Sequence, residues 1–136
     1  MDRRACDAVI KSLTSQELDH AAFTDGGAAA GNIAFTTGKI PGNSLVVGWK
    51  AYITEAFACT STCLATVGPT GDKDAWTASD PSVAAVGYVG SGSDFTDPDC
   101  YVAVPTIPYV EVTEDDDYGH VTTGKMYVTV YYIPLG

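Results

Sequence analysis

Basic residues are scarce in this sequence: seven Lys and Arg stand against 17 Asp and Glu in 136 residues, a formal net charge of −10. So acidic a surface repels phosphate backbones, and no nucleic-acid partner is expected. Histidine is scarcer still, with only His20 and His120. Nucleophilic hydrolysis needs a Ser or Cys activated by an imidazole and an orienting acid. No G-x-S-x-G elbow occurs, and Gly90-Ser91-Gly92-Ser93 lacks the pattern. Gly26 to Gly31 places Ala28 where a dinucleotide loop needs its middle glycine, and there is no P-loop. No catalytic residue and no cofactor are therefore expected. Long apolar runs are missing too, since nothing approaches the roughly 18 residues of a membrane helix. Arg3-Arg4 is followed by Cys6, Asp7 and Lys11 where a secretion signal would be apolar, so cytoplasmic synthesis is expected.

Cysteine is sparse for a chain of this length, four residues in all. Cys59 and Cys63 flank Thr60-Ser61-Thr62, a spacing open to a cross-hairpin disulfide, with buried free thiols as the default. Zinc needs more Cys or His at compatible spacing, and Cys6, Cys100, His20 and His120 are scattered singly. Carboxylates are the one dense resource. Asp72, Asp74 and Asp80 lie in or near one loop, Asp94, Asp97 and Asp99 in another, and Glu114 to Asp117 in a third. Solvated loop charge is the first reading of these groups and calcium the alternative, with Lys73 and the missing EF-hand glycine counting against calcium. No metal is expected.

What is present is strand pattern. Apolar content of 46% with 18% charged residues gives one globular domain. Leu45 to Phe57 alternates, with Leu45, Val47, Trp49, Ala51, Ile53 and Phe57 on one face and Lys50, Tyr52 and Thr54 on the other. Its length predicts a bulge near Gly48. Further strands are expected at Ile33–Thr37, Thr62–Val67, Val83–Val89, Cys100–Val104, Tyr109–Thr113 and Met126–Ile133. Short strands spaced by Gly, Pro and Asp turns, with no strong helix between them, predict an all-β, antiparallel two-sheet sandwich. Residues 25–136 are assigned to it, and residues 1–24 to an N-terminal arm or short helix. Arg3, Arg4 and Lys11 make that arm slightly basic, whereas the chain from Ser12 onward has 4 basic and 15 acidic residues, a net of −11. The last strand has no polar face, which marks it as central in a covered sheet or as a contact with another subunit. Tyr127, Tyr131 and Ile133 are the residues chosen for self-association.

Several of these segments resemble small β-sandwich proteins of tailed-bacteriophage particles, above all jelly-roll head decoration (cement) proteins. The matching residues are Ile40-Pro41-Gly42, Val46-Val47-Gly48, Thr54-Glu55-Ala56-Phe57, Val67-Gly68 through Asp74-Ala75-Trp76, and the closing strand Gly124 to Ile133. The resemblance implies a jelly roll, a homotrimer and a place on the outer surface of the virion head. There the chain would bind over major capsid protein junctions and stabilise the shell, with Arg3, Arg4 and Lys11 meeting the capsid. The alternative is a tail fibre or spike module binding a receptor or carbohydrate, for which Trp49 and Trp76 are the candidates, Trp49 falling on the inward, core face of its strand and Trp76 being open to either reading.

Overall fold

The alternation at the centre of the chain builds its longest element. In the computed structural model, which describes residues 9–136, Ser44–Glu55 is one twelve-residue strand. Among the described residues there are ten strands, β1 (Lys11–Thr14), β2 (Leu18–Asp19), β3 (Thr24–Asp25), β4 (Ala30–Ala34), β5 (Ser44–Glu55), β6 (Cys63–Gly68), β7 (Gly87–Gly92), β8 (Tyr101–Val102), β9 (Tyr109–Glu114) and β10 (Lys125–Pro134). One six-stranded sheet runs β1-β10-β5-β7, with β2 also on β10 and β8 also on β5; a four-stranded sheet runs β3-β4-β9-β6. Every pairing is antiparallel. The two-sheet all-β sandwich read from the sequence is the observed fold.

Between the sheets lies a core of side chains from alternate positions. Val46, Trp49, Ala51 and Ile53 of β5 and Met126, Val128 and Val130 of β10 form one side, with Ala65, Val67, Val110 and Val112 from β6 and β9 on the other. The expected bulge is present: Tyr131 pairs with Gly48 and Tyr132 with Val46, leaving Val47 without a partner. It changes the facing of the strand upstream of it. Val46, not Val47, is the fully buried residue on the Trp49 side, because one extra residue inverts the alternation. Gly48 permits the close approach of β7, since a Cβ there would lie 2.7 Å from the Ser91 carbonyl oxygen.

The expected arm differs more. Residues 1–8, including Arg3 and Arg4, lie outside the described residues. Residues 11–24, however, are part of the sandwich and form no α-helix. Leu13 pairs opposite Val130. Ser15 donates its N–H to the Val128 carbonyl at 2.8 Å, and its hydroxyl accepts the Val128 N–H at 2.9 Å. Leu18 is fully buried, and Phe23 packs edge-on against Phe57 with ring centroids 6.1 Å apart. The spacing of Leu13, Leu18 and Phe23 fits no single helical stripe, and each residue instead fills a different part of the core. The segment expected as one strand at Val83–Val89 also divides. Ser82 bridges to Leu64 beside β6, whereas β7 starts only at Gly87 and joins the opposite sheet.

Candidate assembly surface

With Ala51, Ile53, Val128 and Val130 turned inward, the outer face of the six-stranded sheet is set by the intervening positions. Register places Tyr127 of β10 opposite Tyr52 of β5, and Tyr52 opposite Tyr88 of β7. The three tyrosines form a rung across the sheet, with 38%, 43% and 68% of their surface exposed. The Tyr52 and Tyr88 rings stack, centroids 4.7 Å apart and planes 28° from parallel. Lys50 Nζ lies 5.0 Å from the Tyr88 ring centroid, a cation–π contact. Next to it the sheet is hollowed, because Gly90 opposite Lys50 has no side chain. Lys50, Tyr88 and Gly90–Gly92 border this shallow depression. Thr14 and Thr129 share a hydroxyl hydrogen bond of 2.9 Å on the β1 side.

Of the self-association residues read from the sequence, Tyr127 is exposed, and Tyr131 and Ile133 are half-buried further along β10. Tyr88 was not legible as part of this group. Its strand is glycine-rich and short, and only the register of β7 on β5 brings it beside Tyr52. Lys50 is the only charged residue among Ser12, Thr14, Lys50, Tyr52, Tyr88, Tyr127, Thr129 and Tyr131. On a chain with 17 acids, this run of aromatic and hydroxyl side chains, with Glu55 and Asp19 only at its Lys125 end, is where another protein surface meets little repulsion and much apolar area. Lys11 is exposed on the edge strand β1.

Neither tryptophan contributes to a surface. Trp49 is 3% exposed and donates from Nε1 to Thr77 Oγ1 at 3.0 Å. Trp76 is fully buried and donates from Nε1 to the Asp99 carbonyl oxygen at 2.9 Å. The carbohydrate platform suggested for these two residues is therefore not formed by them.

The acidic loops group differently in space than in sequence. Asp72 meets Asp97 and Asp99, with one carboxylate oxygen from each lying within 4.8 Å of the others, while Asp80 and Asp94 stay outside the group. The Asp72 carboxyl is pushed up to about 7, first by its hydrogen bond with Asp74, then by burial, then by Asp97. Its folded value lies above the ordinary 3.8, so the folded state holds the proton longer, and stability falls as pH rises from about 4 to 7. Asp72→Asn should accordingly raise the melting temperature at pH 8 and leave it nearly unchanged at pH 3.5. Thermal melts at the two pH values check this, and an equal shift at both would refute it.

The remaining carboxylate of note is Glu114, at the end of β9 and only 1% exposed. Its Oε1 accepts the Thr60 N–H at 2.8 Å, and its Oε2 accepts those of Asp116 and Asp117 at 2.7 and 2.9 Å. His120 Nδ1 stands 3.7 Å from Oε2 and 3.3 Å from Thr60 Oγ1. A hydrolytic triad uses the two imidazole nitrogens separately, one toward the acid and one toward the nucleophile. Here one nitrogen faces both groups and the acid is committed to backbone donors, so the trio is a loop clamp. Within the loop it holds, Cys59 and Cys63 have Cα atoms 5.9 Å apart, a spacing at which a disulfide forms. Cys100 is buried, which raises its thiol pKa.

No protein-family model and no curated protein matches this chain. Its fold does recur in solved phage structures. A chain of the Cyanophage Pam1 capsid asymmetric unit superposes with a TM-score of 0.64 at 13% identity, over 93% of this chain and 86% of that one. A chain of the capsid of Ralstonia phage GP4 gives 0.54 at 14% identity, over 94% and 86%. A chain of the acid-stable capsid of Helicobacter pylori bacteriophage KHP30 gives 0.50 at 16% identity, over 94% and 95%. At such identities the likeness is one of fold, and it spans nearly the whole of each chain.

Proposed function

We propose that this chain is a structural protein of a tailed-phage virion, a decoration or cement protein on the outer surface of the head. The observation that carries the reading is the near full-length likeness of its sandwich to chains of three phage capsid structures. Strand order supports the jelly-roll form of that sandwich. The chain passes from sheet to sheet at β2-β3, β4-β5, β5-β6, β6-β7, β8-β9 and β9-β10, and the bridge at Ser82 stands beside β6 where a further strand would lie.

The mechanism is mechanical. A rigid sandwich, assembled as a homotrimer through the tyrosine face with Tyr131 and Ile133, sits over junctions between major capsid protein subunits. Arg3, Arg4 and Lys11 reach toward the shell. Each contact is individually weak, and holding several at once raises the cost of losing any one subunit. Because residues 11–24 are built into the sandwich, the arm can be tested only by short changes. Arg3→Glu with Arg4→Glu should weaken binding to heads lacking this chain without altering its fold. Immunogold labelling of intact virions tests location: label over the head is expected, and label confined to the tail would overturn the proposal.

Tyr52→Glu with Tyr127→Glu should lower the sedimentation coefficient of the oligomer, with an unchanged far-ultraviolet spectrum. Both side chains are more than a third exposed in the single chain, so the introduced charges remain solvated until a partner covers them. An unchanged sedimentation coefficient would remove this face from the assembly.

A further inference from the structure

Opposite charges collect at the two ends of β9. At its Tyr109 end is a concavity of ≈ 290 Å³ lined by Lys39, Thr70, Pro105, Thr106, Ile107 and Tyr109. Lys73 reaches the same place: its Nζ donates to the Thr70 carbonyl at 3.2 Å and lies 5.6 Å from the Tyr109 ring centroid. The body from Ser12 onward has four basic residues, Lys39, Lys50, Lys73 and Lys125, so half of them stand at this one groove. Among the described residues neither lysine is ion-paired, because the salt bridges found there involve only His20 and His120. Asp72, next to Lys73 in sequence, turns instead toward Asp97 and Asp99. The groove is cationic with an aromatic and apolar wall, and it suits a carboxylate-bearing segment.

The far end of β9 carries such a segment. Asp115, Asp116 and Asp117 are all exposed. Buried Glu114 fixes their backbone by accepting the N–H groups of Asp116 and Asp117. The Asp115 carboxylate accepts from Ser61 and Thr62, and that of Asp117 from Gly119, while Asp116 has no side-chain partner among the described residues. The tip is thus held in one shape, which lowers the ordering cost of binding. Five residue steps along β9, at about 3.3 Å each, separate groove and tip by roughly 17 Å. A tip fixed at that distance cannot fold back into the groove of its own chain.

We infer that the Lys39–Lys73 groove receives the Asp115–Asp117 tip of a second copy of this chain, head to tail. Such a contact joins unlike surfaces, so it closes a ring when the rotation between copies allows. It rests on the proposed assembly into a virion structure, and it adds a contact distinct from the tyrosine face. Sedimentation velocity over a concentration series tests it, comparing the wild type with Lys39→Glu/Lys73→Glu, with Asp115→Lys/Asp116→Lys, and with an equimolar mixture of the two variants. Each variant alone should self-associate at least about tenfold more weakly, and 0.5–1 M salt should weaken the wild type in the same direction. The mixture should regain association, because reversed groove then meets reversed tip, a recovery that misfolded protein does not give. Variants that associate like the wild type, a mixture that stays apart, or a wild type that remains monomeric would each overturn the inference. Head binding separates it from the virion role. A monomer that binds heads keeps the role and overturns the contact, whereas a ring that ignores heads overturns the role and keeps the contact.

Discussion

Trp76→Ala should cost about 3–5 kcal/mol of folding stability, the range for truncating a fully buried tryptophan. The ring has no exposed surface, and it ties two loops to the core. Its Nε1 donates to the Asp99 carbonyl, and its backbone N–H donates to the Val67 carbonyl of β6 at 3.1 Å. Beside it, the Cys100 thiol donates to the Ala75 carbonyl at 3.4 Å. Removing the indole opens a cavity and strands the Asp99 carbonyl, at a site where β6 and residues 94–100 meet. Domains of this size are held by about 5–15 kcal/mol in total. The expected fall in melting temperature is therefore about 10–20 °C. Urea denaturation of the variant checks it. A tryptophan that served only as a surface platform would leave the midpoint where it was.

Glu114→Gln should remove the steepest part of the acid-unfolding curve and lower stability at neutral pH. Burial pushes the Glu114 carboxyl up, but hydrogen bonds from the backbone N–H groups of Asp116, Thr60 and Asp117 outweigh it and hold the value at about 2. The ordinary value is 4.5, so the unfolded chain takes up this proton first as pH falls. The carboxylate's contribution is complete above pH 4.5 and is lost between 4.5 and about 2. A glutamine cannot accept three N–H bonds on two oxygens, and its amide turns a donor toward other donors. The loops at Thr60–Thr62 and Asp115–Asp117 should loosen together, which hydrogen exchange of their amides would report. A variant that kept the wild-type slope between pH 4.5 and 2 would show that another group governs acid unfolding. Asp72 acts in the opposite sense over a higher range, so the two carboxyls are separable by pH alone.

The central strands and most of their facing were legible because alternation is local. In β5, Trp49, Ala51 and Ile53 against Lys50 and Tyr52 announce an inner and an outer side, and β10 repeats the pattern with Val128 and Val130 against Tyr127 and Thr129. The bulge at Val47–Gly48 was legible as a length problem, but the inversion it causes upstream was not. That inversion depends on which residue of β10 stands opposite. The first 24 residues misled for a related reason. Leu13, Leu18 and Phe23 fall five apart, a spacing that matches neither helix nor strand, and such a segment reads as an arm until a sheet edge supplies partners for it.

What the amino-acid order determined by itself was the class of the fold, the acidic surface, the absence of the usual catalytic patterns, and the burden of aromatic residues on the last strand. These follow from neighbours two positions apart and from composition, which need no long-range contact. Tertiary structure alone decided the rest. It brought Tyr88 to Tyr52, Asp72 to Asp97 and Asp99, and Glu114 to Thr60, pairs separated by 25 or more positions in the chain. It also buried Trp76 and placed Lys39 and Lys73 at the end of β9 opposite the acidic tip. Antiparallel pairing across two sheets sets each of these meetings, and register is a property of the assembled sheet that no single segment encodes.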